Sequence, residues 1–141
     1  MSIKSIFVMV ISGFFIVAGS VFARTPSPEG AQAYIISPAD GDVVNSPVTV
    51  KFGLKGMGVA PAGIDKPNTG HHHLLIDVVD IPSPDKSLPA DVNFKHFGGG
   101  QTEAIINLSS GKHTLQLIMG DKNHIPLFPL VMSKKITIEV N

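Results

Sequence analysis

Apolar and polar residues alternate one by one along several short segments of this chain, and this alternation restricts its fold more than any other feature. Every second side chain from Val48 to Leu54 is apolar, and residues 136–140 alternate without a break. Successive side chains on a strand point to opposite faces, so a period of two predicts half-buried strands. Beyond residue 23, no segment shows the 3.6-residue period of an amphipathic helix.

Short predicted strands and frequent turns indicate the fold class. Turn-forming residues such as Asp40-Gly41 and Ser109-Ser110-Gly111 separate the strands, which favours an all-β fold, an antiparallel β-sandwich of about seven strands. Residues 80–100 form a long Pro- and Gly-containing loop with room for a short edge strand or one helical turn. The segments predicted to be strands are 34–36, 47–54, 72–79, 101–108, 112–119 and 136–140.

The first 23 residues have the pattern of a secretory signal peptide. Lys4 precedes an apolar run from Ile6 to Ala18, and Val21-Phe22-Ala23 supplies small residues at a cleavage site. The alternative, an uncleaved membrane anchor, is disfavoured because the apolar run is short for a span. We therefore predict a periplasmic or secreted protein with a flexible lead-in at 24–33 and one domain at 34–141, which is not inserted in the membrane after cleavage.

The composition of residues 24–141 excludes several classes of function. Ten basic and eleven acidic residues remain without Lys4, and no basic stripe favours nucleic acid. The chain has no cysteine, which excludes a thiolate zinc site or an iron–sulfur cluster. Gly-x-Ser-x-Gly, His-Glu-x-x-His and phosphate-binding glycine loops are missing from the sequence, so we expect no enzyme.

Three of the six histidines are adjacent, in Gly70-His71-His72-His73-Leu74-Leu75-Ile76-Asp77. On a strand His71 and His73 share one face, where two imidazoles at i and i+2 can bind one ion. His72 then takes the other face, and we interpret it as structural. The alternative for the pair is a polar strand end that happens to be rich in histidine.

Other residues were considered as further ligands. His124 lies in a loop, where functional residues are frequent, whereas His96 is predicted to be an exposed loop histidine. His113, near the start of a strand, has even odds between a ligand and a structural residue. Asp77 is interpreted as a turn residue, with orientation of an imidazole as the alternative. Methionine thioethers can bind copper(I) but more often fill gaps in a core, and the methionines concerned are Met57, Met119 and Met132.

Two segments resemble bacterial immunoglobulin-like domains. Ser37-Pro38-Ala39-Asp40-Gly41 with the strand at 47–50 resembles their first two strands, and Ser110-Gly111-Lys112-His113-Thr114-Leu115 resembles their penultimate one. The resemblance implies an immunoglobulin-like β-sandwich in which the His113 strand lies beside the triplet strand.

Nearly the whole chain after residue 33 closely resembles a domain-of-unknown-function family of secreted bacterial proteins. Besides the triplet motif, the resemblance rests on residues 34–41, 50–63, 97–102, 111–117 and 120–124. The chain also resembles a wider group of exported β-domains that share a Gly-His-x-His strand, a Gly-x-His-Thr turn and a later Asn-His or Asp-His. That pattern implies a site at His71, His73, His113 and His124. In the family a second histidine often follows after a proline, where this chain has Leu127.

The leading hypothesis is an exported carrier or sequestering protein that binds a transition metal, copper or zinc, through His71, His73, His113 and His124. The main alternative is a cell-envelope interaction module that binds a protein or glycan, with structural histidines. A metalloenzyme, which would need an open coordination position, is a third and weaker possibility.

Overall fold

The computed structural model describes residues 24–141, so the predicted signal peptide lies outside the described residues. The described chain contains nine strands and no helix, and hence no helix suited to crossing a membrane. The strands are β1 (Gln32–Ser37), β2 (Val43–Val44), β3 (Val48–Lys55), β4 (Gly58–Val59), β5 (Thr69–Ile76), β6 (Phe94–His96), β7 (Glu103–Ile106), β8 (Gly111–Gly120) and β9 (Ile136–Val140).

The strands form two sheets, which confirms the predicted all-β sandwich. One sheet has the order β1-β3-β7, and the other has the order β2-β9-β8-β5-β4 with β6 also paired to β5. Most pairs are antiparallel, and the two parallel pairs, β2–β9 and β4–β5, involve two-residue strands. The immunoglobulin-like strand order stays a prediction.

The core lies between the inner faces of the sheets. Val50 and Phe52 of β3 belong to the same buried cluster as Leu74 of β5, Leu117 of β8 and Ile138 of β9. Burial of each of these side chains stabilises the fold by about 1.5–3 kcal/mol. The apolar face of each alternating strand thus supplies the hydrophobic driving force for folding. The period-two pattern therefore identified the inner faces correctly.

The outer face of β5 is also covered, because the loops that follow β5 and β8 fold over it. Leu75 packs there with Leu88 and Ile118 in a second cluster. The same face carries His71 and His73, both almost completely buried. Burial on both faces is typical of a central strand, and β5 pairs with β8, β4 and β6 within its sheet. β5 begins at Thr69 and not at residue 72 as predicted, so the whole triplet lies within the strand.

The segment before β1 lies against the loop after β8. The Arg24 side chain donates hydrogen bonds to the carbonyls of Pro126 and Leu127, at 3.1 and 2.6 Å. The Ser27 N–H donates to the carbonyl of Phe128 at 2.8 Å. The segment predicted as a flexible lead-in is thus tied to the loop region that also carries His124.

Candidate metal centre

His71 and His73 form the buried base of a histidine cluster. They project from the same face of β5, as the strand parity predicted, and their Nε2 atoms lie 3.0 Å apart. Neither side chain is more than 1% exposed. A strand buried on both faces fixes this pair, because neither ring can turn away into solvent.

His96 joins this pair from β6. The three residues of β6 pair with β5 in an antiparallel register that sets His96 directly opposite His73. Directly opposed residues share a face, so the His96 ring lies 5.1 Å from the His73 ring and 5.0 Å from the His71 ring, centre to centre. The residue is exposed, as predicted, but it belongs to the cluster, which the sequence interpretation missed.

His124 reaches the cluster from the loop after β8. Its Nδ1 lies 3.1 Å from His71 Nε2. Its backbone is in the left-handed region, with φ of 65°, which is uncommon for a residue with a Cβ. The predicted loop position of His124 and its approach to His71 and His73 are therefore both present in the structure.

Two glycines make room for the imidazoles. A Cβ at Gly98 would lie 2.3 Å from His96 Cε1, and a Cβ at Gly120 would lie 2.9 Å from His73 Nε2. Both distances are far below van der Waals contact. Any side chain at these positions would displace a ring of the cluster.

The spacing of the four histidines matches the requirement for a single ion. Each of His71, His73, His96 and His124 offers one nitrogen, and these four atoms all lie within 4.8 Å of one another. Four imidazoles bound tetrahedrally at about 2.0–2.1 Å would hold their ring centres about 5 Å apart. The six centre-to-centre distances run from 4.6 to 6.0 Å. Only small ring movements separate this arrangement from a coordination shell.

The environment keeps the buried imidazoles neutral. Burial, together with repulsion from the neighbouring histidines, lowers the pKa of His71 to about 4 and that of His73 to about 3. Burial and the charge of His124 also lower the pKa of His96. Because a metal ion binds the neutral imidazole, these groups are ready to act as ligands at neutral pH.

The far nitrogens of the two buried rings are unpaired. Neither Nδ1 of His71 nor Nδ1 of His73 has a hydrogen-bond partner among residues 24–141. Metal-binding histidines usually donate this second N–H to a carbonyl or carboxylate, which orients the ring. Here packing between β5 and the covering loops orients these two rings instead.

His72 lies on the opposite face of β5, as predicted, and belongs to the core. Its ring is 5.2 Å from the Phe52 ring, centre to centre. Burial lowers the pKa of His72 to about 4, against a smaller opposing effect of the Gln101 and Gly53 backbones. This histidine is a structural residue and does not face the cluster.

The structure does not bring His113 to the cluster. It lies on the inner-face side of β8, in the alternation of Leu115 and Leu117, whereas His73 faces the outer side with Ile118. Five residues of strand separate position 113 from 118, or about 17 Å. The prediction placed His113 on the correct neighbouring strand but grouped it with residues near that strand's other end.

His113 has a local role. Its Nδ1 donates to Asp77 Oδ2 at 2.7 Å, and Asp77 Oδ1 accepts the Thr114 N–H at 2.8 Å. This hydrogen bond is the largest cause that raises the pKa of His113. Its Nε2 lies 2.9 Å from the Ser109 carbonyl and 3.4 Å from the Ser109 hydroxyl. With Nδ1 on the Asp77 carboxylate and Nε2 beside the Ser109 carbonyl, His113 ties the turn before β8 to the residue that follows β5.

The methionines considered as copper(I) ligands occupy hydrophobic clusters. Met119 is fully buried in the core, and Met57 packs against the same cluster. Met132 packs against the second cluster on the outer face of β5. All three contribute to packing, as the sequence favoured.

A family model described as Domain of unknown function (DUF4399) matches residues 50–141, a range that includes all six histidines. No curated protein and no solved structure matches the chain.

Proposed function

This chain belongs to the family described as Domain of unknown function (DUF4399), and we propose that it binds a transition-metal ion through His71, His73, His96 and His124. The family match confirms the expected domain-of-unknown-function family, whereas the immunoglobulin-like resemblance stays a prediction. The observation that carries the proposal is the convergence of four imidazoles from three chain segments, with their nitrogens within 4.8 Å. Relative to the sequence hypothesis, His96 takes the place of His113.

The donor set favours copper or zinc. Imidazole nitrogens suit Zn and Cu, whereas Mg and Ca prefer carboxylate and carbonyl oxygens. The cluster contains four imidazoles and no carboxylate. Copper and zinc are therefore the ions to test first.

The burial pattern supports a carrier or sequestering protein. Four protein nitrogens complete a tetrahedral shell, while catalytic zinc sites keep a position open for water. His71 and His73 are buried, but His96 is exposed, so an ion can enter and leave on the β6 side. The signal-peptide pattern of residues 1–23 supports delivery of this protein to the periplasm or the outside of the cell.

Calorimetric titration of the untagged protein with copper(II) and zinc(II) tests the proposal. We expect binding of one ion per chain, lost in the His71→Ala/His73→Ala double variant. His113→Ala is the matched control, because it removes an imidazole that lies outside the cluster, and it should bind as the unmodified protein does. An unmodified protein that binds neither ion would contradict the proposal and favour the envelope interaction module.

A further inference from the structure

Asp121 is the one buried carboxylate among the described residues, and it organises the turn that carries His124. Only 5% of Asp121 is exposed. Its Oδ1 accepts the backbone N–H groups of Asn123 and Ile125, at 2.8 and 3.0 Å. Its Oδ2 accepts the Thr25 hydroxyl at 2.7 Å. One side chain thus holds both neighbours of His124 and ties the turn to the N-terminal segment.

The backbone of Asp121 closes the same turn. The carbonyl of Asp121 accepts the His124 N–H, and its own N–H donates to the Ile125 carbonyl, both at 2.9 Å. Within this frame His124 holds its left-handed conformation, which a free loop would rarely adopt. The hydrogen bonds of Asp121 therefore offset the backbone strain that points His124 Nδ1 at His71.

Asp121 also provides charge close to the cluster. Four neutral imidazoles bring no negative charge to a cation, and a buried cation without a counter-charge is unfavourable. Asp121 directly follows Gly120, which lies opposite His71 in the pairing of β5 with β8 and where an added Cβ would lie 2.9 Å from His73 Nε2. Because three donors occupy its oxygens, Asp121 acts at a distance and not as a ligand.

Building on the proposed function, we propose that Asp121 is both the positioning residue for His124 and the counter-charge that makes the site favour divalent over monovalent cations. The Coulomb energy between the carboxylate and the ion doubles from a single to a double positive charge. If loss of the carboxylate lowers the affinity for a monovalent ion by a certain factor, it should therefore lower the affinity for a divalent ion by the square of that factor.

Asp121→Asn separates charge from geometry. The amide oxygen can still accept from Asn123 and Ile125, and the amide nitrogen can donate to the Thr25 hydroxyl, so we expect the turn to persist. Affinities for zinc(II) and, without oxygen, copper(I) are measured by chelator competition. We expect a loss of about 10–100-fold for zinc(II) and of about 3–10-fold for copper(I). The copper(II) electron paramagnetic resonance spectrum should keep its nitrogen pattern.

Three further variants complete the comparison. Asp121→Ala removes the turn as well as the charge, so the copper(II) spectrum should lose one nitrogen. Asp85→Asn is the matched charge control, since Asp85 lines the same 380 Å³ cavity as Asp121 but is exposed, and its affinities should be unchanged. Thr25→Val keeps the carboxylate and should keep the zinc(II)-to-copper(I) affinity ratio, which provides a second readout should Asp121→Asn fail to fold.

The outcomes separate this inference from the function on which it rests. An unmodified protein that binds neither ion overturns both. Binding that Asp121→Asn weakens equally for zinc(II) and copper(I), or not at all, overturns the counter-charge alone. A folded Asp121→Ala that retains the full nitrogen pattern overturns the positioning role. A changed affinity ratio in Thr25→Val would also contradict the counter-charge, because that variant keeps the carboxylate.

Discussion

Individual histidines in this protein differ in what surrounds them, and the surroundings decide their roles. His71 and His73 are buried beside other imidazoles, which keeps them neutral, while His113 lies beside a carboxylate, which favours its charged form. His72 is buried among apolar side chains on the other face of the same strand. Three adjacent residues thus divide between the histidine cluster and the core by strand parity alone.

His96, the exposed member of the cluster, should be needed for full metal affinity. We predict that His96→Ala lowers metal affinity about tenfold or more, since a structural shell needs four ligands. The His71 and His73 nitrogens stay in place, so residual binding should remain. Chelator competition measures the effect, with His113→Ala as control. Equal affinities of His96→Ala and the control would remove His96 from the site.

Gly98 should be required because a side chain there would clash with His96, and not because its own backbone conformation needs glycine. A Cβ there would lie 2.3 Å from His96 Cε1 and 3.3 Å from the Ala62 Cβ. We predict that Gly98→Ala displaces the His96 ring and weakens metal binding about as much as His96→Ala does. The free energy of unfolding should change little, because His96 is exposed. Gly58→Ala serves as control, since its backbone is not left-handed and its Cβ would make only an ordinary contact, 3.4 Å from Thr69 Cγ2; equal affinity losses in both variants would contradict the prediction.

At the scale of strands, the sequence predicted parity well and distant pairing poorly. Alternation placed His71 and His73 on one face because parity is a local property of the chain. The membership of His96 depends on the register between β6 and β5, which joins residues 23 apart and leaves little local signal. The one local signal is the Phe94-Lys95-His96-Phe97 run within the long loop, where the sequence leaves room for a short edge strand.

Strand length explains the misplacement of His113. A ten-residue strand such as β8 is about 30 Å long. His113 lies near its start and His124 lies just beyond its end, so both residues cannot reach the same point on β5. The length of β8 therefore allows either His113 or His124 in the cluster, but not both. Because His71 lies opposite Gly120, near the end of β8, His113 is the residue that is excluded.

Asp77 joins the end of β5 to the start of β8, and we predict that it stabilises this part of the sheet in a pH-dependent way. Asp77→Asn keeps the left-handed backbone, with φ of 56°, that asparagine also tolerates, but it removes the charge beside His113. The raised pKa of His113 gives stability that is fully present below pH 6.5 and is lost as the pH rises through the folded-state pKa. We expect a loss of about 0.5–1 kcal/mol at pH 6 and less at pH 9, since Asp77 is partly exposed. Urea unfolding at both pH values measures this, and a larger loss at pH 9 would contradict it.

For the whole molecule, the buried triplet should make the metal-free protein sensitive to acid. The pKa values of His71, His72 and His73 fall from about 6.5 in the unfolded chain to between about 3 and 4. Over that interval the unfolded state binds more protons, so the free energy of unfolding decreases as the pH drops below 6.5. We predict lower melting temperatures at pH 5 than at pH 7.5. His72→Phe, which removes the core imidazole without touching the cluster, should reduce this slope; a flat profile in the unmodified protein would contradict the prediction.

The same lowered pKa values lead to the opposite expectation for metal binding by the folded protein. An imidazole with a pKa near 6.5 would be about nine-tenths protonated at pH 5.5, and each such ligand would cost about tenfold in affinity. Because His71 and His73 have pKa values of about 4 and 3, protons should not compete for them at that pH. We therefore predict that zinc(II) affinity falls between pH 7.5 and 5.5 by less than the hundredfold that these two residues alone would cost if they titrated normally. Titration at both pH values in non-coordinating buffer measures it. A loss above a hundredfold would mean that the two rings are accessible to protons in the folded state, and the buried base of the cluster would then have to open before an ion could bind.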